Sequence, residues 1–297
     1  SSLKWMKVDK VRQVLHLHFL DRVIHGVVAR ALDPCLQASW SPNLYSYRQG
    51  LSPHHATAAL LRFLRQHKIN TNDIKKRGLV VFQTDVRQYT ESIPNHSGSP
   101  LWRMIERVTG LSMNGSDPLE RLILNTVRPK IRNEDGTVSV FERGVPTGSP
   151  ISPMLANLYL SELDDEISKI KGGFYARYGD DLIFVHENAG IVEETATLIR
   201  KKVTELGIEL HPRKSRTTCW NGSGFKASKS LKYLGYQVGF NGCISLTQEK
   251  LRATLKEIQW RLAALLRTIP TQSADRASAL CNGLSSALSP HSPLAVS

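Results

Sequence analysis

Phe174-Tyr175-Ala176-Arg177-Tyr178-Gly179-Asp180-Asp181-Leu182-Ile183-Phe184-Val185 is the stretch that decides how this chain reads. Apolar, strand-like runs flank Tyr178-Gly179-Asp180-Asp181, so the tetrapeptide reads as a hairpin tip carrying adjacent carboxylates. Carboxylates held this way can present charge to a hard divalent cation. Upstream, Leu79-Val80-Val81-Phe82-Gln83-Thr84-Asp85-Val86 is a short buried-type strand ending in a lone Asp. Between the two lies Arg143-Gly144-Val145-Pro146-Thr147-Gly148-Ser149-Pro150, a Gly/Pro loop that opens a helix. A strand-end Asp or an acidic turn alone would be unremarked surface chemistry. The information is in their conjunction and order.

Composition points the same way. The chain has 297 residues, and Lys plus Arg exceed Asp plus Glu by 39 to 26, a net charge of +13. Such an excess favours a polyanionic partner, because phosphate neutralisation dominates nucleic-acid affinity. A merely soluble basic protein would show the same excess, so charge alone does not decide. Cys35, Cys219, Cys243 and Cys281 are widely spaced without a Cys-x-x-Cys pair, and read as reduced, partly buried thiols of a cytoplasmic protein. His16 and His18 lack nearby Cys partners for a metal. No apolar run approaches the ~18 residues of a membrane span, and no signal-peptide pattern stands at the start.

Periodicity and punctuation outline the rest. Residues 1–20 alternate basic and apolar positions and predict strands with a basic edge. Asp21 is a candidate cap for a helix with Val23, Val27, Val28, Ala31 and Leu32 inward, ending near Pro34. Ser52-Pro53 opens a second helix with Ala56, Leu60 and Phe63 inward. Helices are expected over Leu101–Val108 and Leu119–Val127, and Asp135-Gly136 signals a hairpin. One helix after Pro153 should align Leu155, Leu158, Tyr159, Leu163, Ile167 and Ile170, with Asp164-Asp165-Glu166 as mostly solvated surface. Another runs from Val192 to Leu206, Asn241-Gly242 marks a hairpin, and a basic helix runs from Thr247 to about Thr268 with Leu251, Leu255, Ile258, Leu262 and Leu265 inward.

The Asp strand, glycine loop and Asp-Asp hairpin, in that order, resemble the palm of reverse transcriptases. Gly144–Leu160, reading GVPTGSPISPMLANLYL, looks closely like the loop and helix of bacterial reverse transcriptases of the group II intron-like and defence-associated kind. Asp21-Arg22-Val23-Ile24-His25 and Ser46-Tyr47-Arg48-Gln49-Gly50 resemble that group's fingers segments. The resemblance implies an α+β right-hand polymerase. Fingers are expected at 1–78 and 95–142. The palm is expected at 79–94 and 143–246, as a small antiparallel sheet backed by two helices, and a partial thumb with a tail at 247–297. It implies RNA-directed DNA synthesis using nucleoside triphosphates, an RNA template and a DNA or RNA primer. No membrane partner is expected, and a partner protein or self-association is left open. The bare layout fits a domesticated, defence-type enzyme, a domain, or part of something longer.

Nucleotidyl transfer uses two divalent ions about 4 Å apart, bridged by carboxylates. The resemblance therefore implies two magnesium ions, with manganese as an alternative, at Asp85, Val86, Asp180 and Asp181, with Asp181 flanking. Lys214 matches the family lysine that protonates or neutralises pyrophosphate. Arg12, with Lys7, is the implied clamp on the incoming triphosphate, since guanidinium forks match phosphate oxygens. Thr147, Gly148 and Ser149 form the implied platform beneath the nucleotide, and Tyr233-Leu234-Gly235 the primer grip. Arg252 and Lys256 lie on the implied thumb helix, where phosphate contacts carry no sequence information.

Three positions depart from the family pattern. Thr147 stands where Gln is usual, and Gly179 where Ala is commoner. Thr90 occupies the position of a bulky aromatic that blocks the ribose 2′-hydroxyl. Tyr89 would face away from the sugar if the Asp85 strand continued. Two other readings stay open: an RNA-synthesising or template-independent nucleotidyltransferase, and a non-catalytic nucleic-acid-binding module.

Overall fold

Leu79–Asp85 (β3 in chain order) occupies the centre of a five-stranded sheet, between the apolar run Asp181–His186 and the more polar Arg216–Trp220. In the computed structural model, residues 2–7, 11–70, 78–133, 135–140, 142–220 and 227–266 are described, with the backbone alone at 2–7, 11–14, 70, 227 and 266. The elements before the centre strand are β1 (Ser2–Lys7), β2 (Val11–His16), α1 (Phe19–Ala38) and α2 (Pro53–Asn70). After β3 come α3 (Tyr89–Ser92), α4 (Pro100–Thr109), α5 (Pro118–Val127), β4 (Lys130–Arg132), β5 (Val138–Val140), α6 (Ser152–Tyr159) and α7 (Ser161–Ser168). Then follow β6 (Phe174–Tyr178), β7 (Asp181–His186), α8 (Ala189–Glu205), β8 (Arg216–Trp220) and β9 (Ala227–Ser228). The last elements are β10 (Ser230–Tyr233), β11 (Tyr236–Gly239), β12 (Ile244–Leu246) and α9 (Gln248–Leu266).

The central sheet has the order β6-β7-β3-β8-β9 and is antiparallel except where β9 runs parallel to β8. Strands β6, β7 and β3 are largely buried, which explains their nearly unbroken apolar runs: α8 packs on β3 and β7, while α2 and α7 meet β6. Phe82 and Phe184 join Val192, Ala196, Ile199 and Val203 of α8 in one core with α1, α4, α6 and α7. A second sheet, β2-β1-β4-β5, is built from two hairpins, and a third from β10-β11-β12. The chain divides into two compact units, Ser1–Ser230 and Leu231–Ser297.

Several local signals held, but Asp21 is not a cap: α1 starts at Phe19 with His18 before it, and Asp21 lies in the first turn. Asp117 caps α5 in a reciprocal box with Glu120, and α2 starts at Pro53. Asp135-Gly136 turns β4 into β5, and Asn241-Gly242 turns β11 into β12. Corrections fall where periodicity was ambiguous. α1 buries His25, Val28, Ala29, Leu32 and Leu36, running through Pro34, while Val23 and Val27 are exposed. Its first half is apolar nearly all round, so packing and not pattern chose the face. The helix expected after Pro153 breaks at Leu160 into α6 and α7. On α9, Leu251, Ile258 and Leu265 are exposed instead of inward. Cys35 and Cys243 are exposed thiols and Cys219 is half-buried; Cys281 lies outside the described residues. No helix among the described residues is long and apolar enough to cross a membrane.

Candidate active site

The hairpin tip forms because Tyr178 pairs with Asp181, leaving a two-residue loop whose first member, Gly179, takes φ +64°. Such loops demand positive φ, which glycine adopts without steric cost. The neighbouring strand then fixes the chemistry. β3 and β7 pair antiparallel with Asp85 directly opposite Asp181, and the Val86 N–H donates to Asp180 O at 3.1 Å. Carboxylate oxygens of Asp85, Asp180 and Asp181 consequently lie within 4.8 Å of one another.

Three like charges at this spacing repel. Burial first, then the charges of Asp180 and Asp85, push the Asp181 carboxyl up to about 6, with Lys214 opposing. Lys214 Nζ lies 2.5 Å from Asp85 Oδ2. Burial pulls the Lys214 ammonium down, but its hydrogen bond to Asp85 and the three carboxylate charges outweigh this and raise it. The lysine reaches that position because its loop is pinned to the end of β3: the His211 N–H donates to Asp85 O at 2.6 Å, and the Arg87 N–H to Glu209 O at 2.8 Å. A cluster of hard oxygen donors that holds its charges together at this cost fits divalent magnesium or manganese.

A cleft of about 380 Å³ opens beside the carboxylates. Asp85, Val86, Tyr89, Thr90, Asp180 and Lys214 all line it, whereas Asp181 stands beside it. The strand does not continue past Asp85, however. Arg87-Gln88 turns with Gln88 at φ +46°, so strand parity does not apply and Tyr89 and Thr90 both reach the cleft from α3. Tyr89 is buried and its hydroxyl donates to Ala156 O at 2.5 Å; burial raises its pKa.

Thr147, Gly148 and Ser149 do not line this cleft but are tied to it. The Val145 N–H donates to Thr90 O at 2.8 Å, Gly148 takes φ +102°, and buried Ser149 Oγ bonds His25 Nδ1 at 2.7 Å. Thr147 O accepts from the Leu15 N–H at 2.8 Å, so β2 abuts the glycine loop. The side chains of Lys7 and Arg12 lie outside the described residues; their backbones sit on the β1–β2 hairpin, with Arg12 opposite Met6. In the second unit, Leu234 and Gly235 make the β10–β11 turn with φ +48° and +83°, after buried Tyr233. Arg252 and Lys256 are exposed on α9.

Sequence reasoning missed four contributors. Tyr47 and His211 line the cleft, the former with a left-handed φ of +52°. Asp164, expected on a solvated face, is fully buried and ion-paired at 2.6 Å with equally buried Arg177; only Asp165 of that run is exposed. Arg177 was hidden inside an apolar run, and Asp164 inside an acidic one.

The description "Reverse transcriptase (RNA-dependent DNA polymerase)" matches residues 4–238, most of the chain. The chain belongs to the reverse transcriptase family. It is 26% identical over 152 residues to Protein P of Duck hepatitis B virus (strain United States/DHBV-16), covering 50% of this chain and 17% of the viral protein. Telomerase from Candida tropicalis in complex with the TWJ fragment of telomeric RNA superposes with a TM-score of 0.64 at 13% identity, over 95% of this chain and 52% of that one. The apo form gives 0.63 at 13% identity, over 84% and 49%. The chain thus spans about half the length of the telomerase chains and a smaller share of the viral protein. Helices around an antiparallel sheet are the architecture of the reverse transcriptase fold, a right-hand polymerase, and the telomerase likeness is one of fold alone.

Proposed function

We propose that this chain is an RNA-directed DNA polymerase that extends a primer 3′ end by nucleotidyl transfer. The observation that carries the reading is the convergence of Asp85, Asp180 and Asp181 within 4.8 Å, inside a chain matched to the family over residues 4–238. Asp85 and Asp180, with Asp181 and the Val86 main chain beside them, are the residues that would hold two magnesium ions. When bound, such ions acidify the primer hydroxyl and steady the leaving pyrophosphate. Lys214, held by Asp85 at 2.5 Å, keeps a proton and a positive charge at the edge of the carboxylates, where pyrophosphate leaves. Arg12 and Lys7 grip the triphosphate, Thr147, Gly148 and Ser149 underlie the nucleotide, and Tyr233-Leu234-Gly235 with Arg252 and Lys256 hold the primer–template duplex.

The source and setting belong to the same reading: a bacterial, cytoplasmic, domesticated enzyme of the defence kind, of which the bacterial part is supported by the resemblance of Gly144–Leu160 to group II intron-like enzymes and the defence part by analogy alone. Thr90 favours a second reading, synthesis of RNA or addition without a template, because a small residue lines the cleft where the family places a ring.

Primer extension on RNA and DNA templates, with Asp85→Ala and Asp180→Ala as controls, tests the proposal. Both variants should abolish magnesium-dependent synthesis while folding and RNA binding persist. Substantial polymerisation by both would remove the site.

A further inference from the structure

Asp180 is presented by Gly179, and both main-chain polar groups of Gly179 are held by buried side chains. Its N–H donates to Ser46 Oγ at 2.8 Å, and its carbonyl accepts from Arg177 Nη1 at 3.2 Å. Ser46 Oγ donates in turn to Asn157 Oδ1 at 3.0 Å, and Asn157 Nδ2 donates back to Ser46 O at 2.9 Å. Arg177 Nη2 reaches Asn157 O at 2.9 Å. The guanidinium is fixed from behind by Asp164, through Nε–Oδ1 at 2.8 Å and Nη2–Oδ2 at 2.6 Å, while Tyr175 Oη donates to the same carboxylate at 2.7 Å. Ser46, Asn157, Asp164 and Arg177 are all completely buried.

The network joins three distant parts of the chain: the Ser46 loop between α1 and α2, helices α6 and α7, and the β6–β7 hairpin. Glycine at a turn is the residue least able to hold one conformation unaided. A hairpin tip that must keep a carboxylate beside two others of like charge gains most from an external anchor. Arg177 and Asp164 can be read as core satisfaction alone, since buried charges must be paired. Ser46 cannot be read so simply. Its hydroxyl could have been satisfied by Asn157, yet it also receives the Gly179 N–H. The next residue, Tyr47, enters the cleft with a strained left-handed backbone, which persists only where its surroundings over-determine it.

We propose that Ser46 is a positioning residue for the metal-binding carboxylates: with Asn157 and Arg177 it clamps Gly179, and so sets where Asp180 stands relative to Asp85. The inference rests on the proposed function, because it assigns Ser46 an effect on the affinity of that same site for divalent cations.

Binding of Mn2+ alone to the full chain, followed by electron paramagnetic resonance of the free ion, tests it. Thr195→Ala is the control, a buried hydroxyl on α8 that donates to the carbonyl of Ile191 and, among the described residues, has no bond to the carboxylate site. Ser46→Ala should weaken Mn2+ roughly 3- to 10-fold, the worth of one net hydrogen bond, while Thr195→Ala leaves it unchanged. In primer extension, Ser46→Ala should lower kcat at limiting Mn2+ and recover it at saturating Mn2+, with little change in the KM for nucleotide. Should Ser46→Ala fail to fold, Ser46→Cys, close in size and a weaker hydrogen-bonding partner, carries the same expectation. Wild-type affinity in a folded Ser46 variant, or an equal loss in Thr195→Ala, overturns the positioning role. Absence in the wild type of any Mn2+ site that Asp180→Ala removes overturns the function reading itself, and the two failures are thereby told apart.

Discussion

Asp85 and Asp181 are direct cross-strand partners, one closing β3 and the other opening β7. Like charges placed opposite each other destabilise a sheet, and here a third carboxylate, Asp180, stands beside them. Lys214, 2.5 Å from Asp85, offsets part of this repulsion, and the remainder is what a bound cation would relieve.

The first prediction follows from that imbalance. The Asp181 carboxyl is raised from its ordinary 3.8 to about 6 in the metal-free fold, so the folded state binds its proton more tightly than the unfolded chain does. Its contribution to stability is therefore complete below the ordinary value and is lost as pH rises through about 6. Metal-free protein should show this loss, Asp181→Asn should remove it, and magnesium should stabilise the wild type more at the alkaline end than the acid end. Thermal melts across this range, with and without magnesium, check it. A magnesium effect independent of pH and unchanged in Asp181→Asn would exclude Asp181 from the site.

A second prediction concerns the buried pair Asp164–Arg177. Removing one partner leaves an uncompensated buried charge, so Asp164→Ala should cost about 3–5 kcal/mol. Replacing both with Asp164→Leu and Arg177→Met should cost less than Asp164→Ala alone, because no unpaired buried charge remains and only the neutral partners Tyr175 Oη, Asn157 O and Gly179 O lose a bond. Urea titrations of the single and double variants give the comparison. A double variant less stable than the single would mean that the pair is worth more than its desolvation.

The exposed basic face of α9 predicts a salt effect. Template–primer affinity should fall with a log–log slope of several units, since Lys and Arg contacts to phosphate release counterions. Reversing Arg252 and Lys256 together should flatten the slope without altering base preference. Affinity insensitive to both salt and these changes would separate α9 from the duplex.

The last prediction concerns sugar choice at Thr90. Tyr89 is fixed by its hydroxyl bond to Ala156 O, leaving the smaller Thr90 beside it in the cleft. A gate that lacks steric exclusion should discriminate by only the roughly 1–3 kcal/mol typical of small pocket differences. Measurable ribonucleotide incorporation is expected, with a marked gain in deoxyribonucleotide preference in Thr90→Phe. Single-nucleotide extension with paired ribo- and deoxyribonucleotides decides it, and strong deoxyribonucleotide preference unchanged by Thr90→Phe would place the gate at Tyr89 or elsewhere.

Much of this site was legible in the chain because it is written in residues with few conformational options. Glycine at 179 demands a turn, the apolar runs on either side read as buried strands, and Ser52-Pro53 announces a helix start. Local chemistry also set Asp85 at a strand end and Asp180 at a hairpin tip. What the sequence could not say was which surfaces meet. The apolar first half of α1 offered two faces, and only the core chose Val28 and Leu32 over Val23 and Val27. Asp164 looked like its solvated neighbours until Arg177, thirteen residues on, was folded against it. Strand parity failed at Tyr89 because the turn at Gln88 reset the direction of the chain. Sequence alone determined which carboxylates exist and what kind of element carries each, since those depend on short-range sterics and propensity. The antiparallel register that sets Asp85 opposite Asp181, and the clamp of Ser46 and Arg177 on Gly179, were decided only by the tertiary structure. Both depend on burial and hydrogen-bond satisfaction among groups far apart in the chain, and no local pattern encodes those.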